Sequence, residues 1–295
     1  YFELYKKTIQ QQTFDQKVLK FKMNLAQCHL HHQSLLKSLS ALLNTCPNLS
    51  YNEWQVFIHR IITPELFSAV LGIGYIELVN QKTLPSFLKD LENQFNCPVN
   101  VQGDQESSPL CLLKYPTKMN LLKRDIHTYL GFNVCSRETS RVAMMQARDE
   151  ARGILTPLLY IEDCDIQKPA LIAYFPVYED TRFFDKKVSI FLRQKNIKGW
   201  VSLSLDVQEF LKSFIPEHTY ITIYDNGRKI FSMTPPPNLT EKYHFTAHVG
   251  GRSWDIHMGS KPIHTLHTLI RLFIPLMGFV FSIILSFFLW SLLTT

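Results

Sequence analysis

Residues 272–293 read LFIPLMGFVFSIILSFFLWSLL and contain no charged side chain. A helix needs about 20 apolar residues to cross the hydrocarbon core of a bilayer. A helix that is apolar on every face also has no solvated side to offer a globular domain. The run therefore predicts a transmembrane helix, assigned to 268–293. Pro275 falls near its start, where a lost backbone hydrogen bond is tolerated. Trp290 falls near the other end, at interface depth. What precedes the span is one extramembrane region ending near Arg271. The chain opens on Tyr1 without a leader-like segment, so it is read as a piece of a longer membrane protein.

Hydrophobic residues make up 46% of the chain and charged residues 19%, which excludes a disordered chain. Lys plus Arg number 31 against 25 for Asp plus Glu, a net charge of +6. The surplus is spread thinly, in pairs such as Lys6-Lys7 and Lys186-Lys187. A nucleic-acid binder gathers its positive charge on one face, so nucleic acid is not expected as a partner. The six cysteines permit disulfides without demanding them. Cys97 and Cys111 flank a turn-rich loop and form the easiest pair. Cys28 and Cys46 on one helix would stand about 27 Å apart, too far to bridge.

Residues 3–45 contain no Gly and no Pro and predict one long helix. Apolar residues recur at Phe14, Val18, Phe21, Leu25, Cys28, Leu35, Leu39 and Leu42, with His32 in the gap. Alternating steps of four and three make a heptad seam. The seam fits a parallel homodimer joined at Val18, Phe21, Leu25, Leu35 and Leu39, and it also fits a helix packed on its own domain. Its length favours the dimer. Thr45-Cys46-Pro47-Asn48 ends the helix. Helices are expected at 49–63, 84–95, 136–152 and 207–214. Strands are expected at 69–79, 110–115, 154–161, 171–178, 199–205, 220–224, 229–233, 243–249 and 252–258, with Asp225-Asn226-Gly227 as a hairpin turn. Helices and strands in blocks indicate an α+β fold with antiparallel sheets. The expected domains are a stalk helix 1–46, a distal α/β unit 47–205, a proximal unit 206–262 and the span. Pro262 makes the link into the span short and stiff.

Enzyme motifs are absent: there is no G-x-S-x-G, H-E-x-x-H or Walker loop. Gly72-Ile73-Gly74 lacks the third glycine and the following helix of a dinucleotide site. Cys28, His29, His31 and His32 point in different directions on a helix and cannot converge on one ion. His264 and His267 fit a solvated face beside the membrane. Asp149-Glu150 and Glu162-Asp163 are neighbours that diverge, which gives no acid–base pair. No metal site, cofactor or catalytic residue is expected. Tyr160, Tyr174, Phe175 and Tyr178 remain, with Tyr174 and Phe175 on opposite faces of a strand. Such aromatics line a small-molecule pocket or fill a core with satisfied hydroxyls.

The stretch 131–156, GFNVCSRETSRVAMMQARDEARGILT, resembles the central signature of the CHASE domain family. The matching residues are Gly131-Phe132-Asn133, Ser136, Arg141, Ala147-Arg148 and Thr156. Residues 173–178, AYFPVY, resemble the family's Phe-Pro-Val-Tyr strand, and Gly199-Trp200-Val201 its Gly-centred strand. Trp254 resembles the Trp before the last strand, and Trp54, Phe57 and Ile58 its Phe-rich helix. The resemblance spans roughly 35–260 and rests on order and spacing. It implies an extracytoplasmic sensor between two membrane spans, built from a long stalk helix and two PAS-like α/β units in tandem. The distal unit of that fold binds ligand, and the output is a cytoplasmic histidine kinase or nucleotide cyclase. In the plant cytokinin receptors, which share the fold, ligand contacts map onto Ser140, onto Ile161 and Glu162, and onto Tyr174. Ser140 replaces a carboxylate and Tyr174 a threonine, so the resemblance implies a different small molecule. The expected pocket is lined by Thr156, Tyr160 and Tyr174, with Ser140 and Arg141 at its rim. A second class of function stays open: a partner-binding dimer module that senses a protein or the envelope.

Overall fold

A computed structural model describes residues 2–63, 68–104, 109–118, 125–163, 166–185, 187–233, 241–260, 273, 275–284 and 286. In chain order the elements are α1 (Phe2–Thr45), α2 (Tyr51–Ile61), β1 (Val70–Val79), α3 (Leu84–Phe95), β2 (Leu110–Lys118), α4 (Glu138–Glu150), β3 (Ile154–Leu155), β4 (Leu159–Asp163), β5 (Ile166–Tyr178), α5 (Ile190–Lys195), β6 (Ile197–Asp206), α6 (Val207–Lys212), β7 (Thr219–Asp225), β8 (Arg228–Ser232), β9 (Glu241–Val249) and β10 (Arg252–Ser260). Short 3-10 turns at Ile126–Tyr129 and Val134–Ser136 lead into α4.

Local chemistry sets the boundaries. Ser50 caps α2, and Glu53 returns a bond to the Ser50 backbone, a reciprocal capping box. Asn96 ends α3 in the left-handed conformation at φ 51°. Asn226-Gly227, at φ 48° and 77°, turns β7 into β8, and both positive angles suit the twist of a two-residue hairpin.

All strand pairing is antiparallel. The first sheet runs β2-β1-β6-β5-β3, with β4 also on β5, and the second runs β8-β7-β10-β9. The fold is thus mixed α and β, with a long N-terminal helix and two antiparallel sheets in tandem. Strand alternation gives each sheet two faces. On the first sheet Ile73, Tyr75, Ala173, Phe175, Val201 and Leu203 face α1 and α2. Tyr174 and Ile172 face the opposite way, towards Ala143, Met144 and Ala147 of α4.

The long helix lies along both sheets. Near its start Phe21 meets Phe245 of β9, with ring centroids 6.4 Å apart. Near its end the Ser40 hydroxyl donates to the Pro176 carbonyl of β5 at 2.9 Å. The heptad seam is the contact: Val18, Phe21, Leu25, Leu35 and Leu39 are all buried within the single chain. The dimer assignment of these five residues is therefore corrected. A heptad stripe marks one buried face of a helix without saying what covers it, and here a sheet covers it.

Two further expectations change. The strand expected at 154–161 is two strands, β3 and β4, interrupted around Pro157; proline removes a ladder donor. Cys111 pairs with Cys135, with Cα atoms 5.5 Å apart, and not with Cys97. The chain returns over β2 after the 3-10 turns, with Leu112 bridging Asn133, and this brings Cys135 to Cys111. Cys97 lies instead beside His127, Sγ to Nδ1 3.9 Å.

Of the predicted span, residues 275–284 are helical with exposed apolar side chains. The rest of 268–293 and the link at Pro262 lie outside the described residues, apart from residues 273 and 286. Among the described residues no helix is long and apolar enough to cross a membrane.

Candidate functional site

A cavity of about 270 Å³ lies on the α4 side of the first sheet. Its floor follows from register. Gly74 of β1 pairs with Ser202 of β6, which pairs with Tyr174 of β5. In the next row Gly72 pairs with Ser204, and Ser204 with Ile172. All six residues line the cavity. Glycine and serine occupy four of the six places, so the middle of the sheet carries little side-chain volume and space stays open above it. Tyr129, Phe132, Val134 and Arg137, with Ser140 of α4, form the other walls.

The Cys111–Cys135 disulfide fastens this wall to β2. Asn133 adds two bonds: its Oδ1 accepts from the Cys111 amide at 3.1 Å, and its Nδ2 donates to the Asp104 carbonyl at 2.6 Å. Gly131 sits at φ 71° against the Asn100 carbonyl, where a Cβ would come within 2.8 Å, so no other residue suits the turn that brings Phe132 over the cavity.

Four of the seven expected ligand residues line the cavity: Ser140, Ile161, Glu162 and Tyr174. Tyr174 is only 1% exposed, and burial pushes its phenol up to about 12 although Ser140 and Arg137 act in the opposite direction. The Ser140 hydroxyl lies beside the Tyr174 phenol, close enough for a hydrogen bond. Arg137 lies over the Phe132 ring, 5.1 Å from its centroid. Glu162 and Lys118, both exposed, stand at the edge of the cavity.

The other three do not line it. Tyr160 is 49% exposed, because alternation along β4 turns it away from the side that Ile161 faces. Arg141 pairs with Glu138 at 2.6 Å on the exposed face of α4. The inward face of that helix is Ser140, Ala143, Met144 and Ala147, and Arg141 lies a third of a turn off it. Thr156 is buried and committed to strand pairing: its amide donates to the Ile172 carbonyl at 2.9 Å, and its hydroxyl accepts from the Ile172 amide at 3.1 Å. The sequence reading missed Arg137, one helical turn before Arg141, and the Gly-Ser floor. The Gly72-x-Gly74 and Ser202-x-Ser204 repeats were visible signals of a strand face without bulk.

A second cavity of about 290 Å³ lies between α1 and α6, beside Cys28, His31, His32 and Phe210. Cys28 Sγ and His32 Nε2 are 3.7 Å apart. Burial pushes the Cys28 thiol up to about 11, so it stays protonated and unreactive. Two ligands make no metal site. His264 and His267 lie outside the described residues. One group among the described residues could hold a metal: His244, Asp255 and His257, on the outer face of the second sheet.

The CHASE domain family model matches residues 47–238, more than half of the chain and inclusive of every residue of the first cavity. No curated protein matches the sequence. The periplasmic sensory domain of the Campylobacter jejuni chemoreceptor Tlp1 is similar in structure, with a TM-score of 0.50 and 9% identity over 81% of this chain and 90% of that one. A methyl-accepting chemotaxis protein X aligns with a TM-score of 0.48 and 10% identity over 85% of this chain and 98% of that one. At these identities the likeness is one of fold.

Proposed function

This chain belongs to the CHASE domain family, and from that membership we propose that it is the extracytoplasmic ligand-sensing region of a transmembrane signalling receptor. It is read as non-catalytic, anchored by the span that the sequence predicts at 268–293, and coupled to a histidine kinase or nucleotide cyclase on the other side of the membrane. The distal unit, 47–205, takes the ligand, and the proximal unit, 206–262, passes the change to the span.

The observation that carries this reading is the cavity itself, open above the Gly-Ser floor and walled by the buried polar residues Ser140 and Tyr174. A polar group on a ligand in the cavity would have Ser140, Tyr174 and Arg137 as its nearest polar side chains. The cavity falls at the small end of ligand pockets, which start at about 300 Å³, so the ligand is a metabolite-sized molecule. Arg137 supplies a cation in a planar fork that suits a carboxylate or phosphate group. Glu162 at the edge suits an amine or amide. Ser140, Arg137, Tyr174, Ile161 and Glu162 form the proposed contact set. The open cavity favours small-molecule sensing over the alternative of a purely partner-binding module.

A dimer is retained in this reading, but on a different stripe. Leu19, Met23 and Leu30 are 58%, 62% and 64% exposed on α1, and with exposed Ala26 they repeat at heptad spacing opposite the buried seam. A second copy of the chain laid parallel along this stripe would bury it.

The test is a thermal-melting screen of the full chain in detergent against polar metabolites, acids and amines separately. A saturable upward shift that weakens at least about tenfold in Ser140→Ala or Arg137→Gln supports the assignment. Identical responses of wild type and both variants would remove the site from consideration.

A further inference from the structure

The outer face of the second sheet carries an arrangement that ligand sensing does not use. β10 alternates buried Trp254, Ile256 and Met258 with outward Ser253, Asp255 and His257. On β9, His244 pairs directly with His257. Directly opposed residues on one sheet face hold their Cβ atoms about 5 Å apart, so the two imidazoles stand side by side, with ring centroids 4.7 Å apart. Asp255, two residues before His257, falls on the same face. Its two oxygens reach the two histidines: Oδ1 meets His244 Nε2, and Oδ2 lies 3.4 Å from His257 Nε2. One ligand atom from each residue lies within 4.8 Å of the other two.

We propose that His244, Asp255 and His257 form a surface site for a divalent transition-metal ion of the imidazole-preferring kind: zinc, nickel or copper. Zinc bonds to imidazole nitrogen and carboxylate oxygen run about 2.0–2.2 Å, which places ligand atoms roughly 3.3 Å apart around a tetrahedral ion. His244 and His257 are exposed and Asp255 is half-exposed, none of them in the core, so small rotations about their side-chain bonds close the present spacing. Two imidazoles and one carboxylate provide three protein ligands and leave the remaining positions to water. The backbone needs no change, because strand register already brings the histidines together. Tyr224 of β7 packs its ring edge-on to His257, centroids 5.3 Å apart, and restricts that imidazole. An ion here would tie β9 to β10, the strand that ends at Ser260 just before the proposed link to the span. The site does not depend on the ligand reading of the first sheet.

The experiment is calorimetric titration of the full chain in detergent with zinc chloride alone, in a buffer that does not chelate, followed by cobalt(II) absorption spectra. Expected is one equivalent of zinc bound by the wild type, weakened at least about a hundredfold by His244→Ala or His257→Ala and about tenfold by Asp255→Asn. His248→Ala, on the same face but outside the triad, should bind as wild type. The cobalt spectrum should lack thiolate charge-transfer bands, which separates this site from any built on a cysteine. All four variants alter exposed or half-exposed side chains outside the core, so unchanged melting curves report an intact fold. Absence of zinc binding by the wild type at submillimolar metal overturns the proposal. So does full binding by the His244→Ala/His257→Ala double variant, which would place the metal elsewhere on the chain.

Discussion

The Leu155 amide donates to the Gly250 carbonyl at 2.8 Å. This bond joins the two sheets at a point that touches the cavity strand. Leu155 pairs with Ala173 of β5, and its neighbour Ile154 pairs with Tyr174, which lines the cavity. Gly250 is at the tip of the β9–β10 hairpin, and its own amide donates to His29 Nε2 of α1 at 3.4 Å. Gln33 of α1 holds Gly153 with two bonds of 3.1 and 3.3 Å. A movement of β5 therefore has a packed route through β3 to the β9–β10 hairpin.

Gly250→Ala should break this junction. Gly250 has φ 55°, and an added Cβ would stand 2.6 Å from Leu155 Cγ. Backbone strain and overpacking together should cost about 3 kcal/mol. Gly227 is the control: its φ is 77° with nothing within 4 Å, so Gly227→Ala should cost only about 1 kcal/mol. Urea unfolding of the two variants measures the difference. Equal costs would mean that Leu155 yields and that the contact is not tight.

The stability of the chain should fall in mild acid through His32. Burial, with His29 and His31 adding to it, holds this imidazole down to about 4 from its ordinary value of 6.5. Folded His32 stays neutral where the unfolded chain takes up a proton. Its contribution is thus fully present above the unfolded value and is lost as pH falls from about 6.5 to about 4, an order of 3 kcal/mol. His29 shifts the same way, through burial and then Arg152. The unfolding midpoint should be level above neutrality and drop across that window, and His32→Leu should flatten part of the drop. A parallel pH profile in the variant would sink the assignment.

Removing the Cys111–Cys135 bridge should loosen the cavity wall. A crosslink spanning 24 residues restrains the unfolded chain by about 3 kcal/mol. Cys111→Ser with Cys135→Ser should lower stability by about that amount under oxidising conditions, while Cys97→Ser changes nothing. Peptide mapping without reductant that finds Cys97 linked to Cys111 would contradict this pairing.

The elements were legible in the sequence because periodicity and turn chemistry are local. The unbroken 3–45 stretch, the break at Thr45-Cys46-Pro47-Asn48 and the Asp225-Asn226-Gly227 turn each declare themselves within a few residues. The family match of AYFPVY and its neighbours rested on the same local order. The cavity floor was not legible, because Gly74, Ser202 and Tyr174 meet only through cross-strand register between distant segments. The same holds for His244 beside His257, and for Cys135 beneath a returning loop. Arg141 and Tyr160 stand outside the cavity for a simpler reason. A residue one position from an inward one on a helix or a strand faces elsewhere, and the inward phase is set by tertiary packing.

Assembly should respond to the outer stripe of α1 and not to the inner seam. Leu19→Asp with Leu30→Asp, both exposed, should give monomers by sedimentation velocity with an unchanged melting curve. Leu25→Asp with Leu35→Asp would place unpaired charges in the core, and should unfold the chain rather than separate it. A Leu19/Leu30 variant that sediments as the wild type would remove the stripe from the interface.

Filling the cavity should silence it without dismantling the sheet. Tyr174→Ala is a poor probe, because Tyr174 is packed in the distal core and its loss should cost about 3–5 kcal/mol. Ser204 is the better position: it lines the cavity between Gly72 and Ile172 and is not fully buried. Ser204→Phe places a ring over the bare glycine, where space is available, so overpacking should cost no more than about 1 kcal/mol. Any compound that raises the wild-type melting temperature saturably should have no effect on this variant. Tyr174→Phe, which keeps the ring and removes only the hydroxyl, should retain the fold and weaken the response. A full response in Ser204→Phe, with its melting curve intact, would place the ligand away from the Gly-Ser floor.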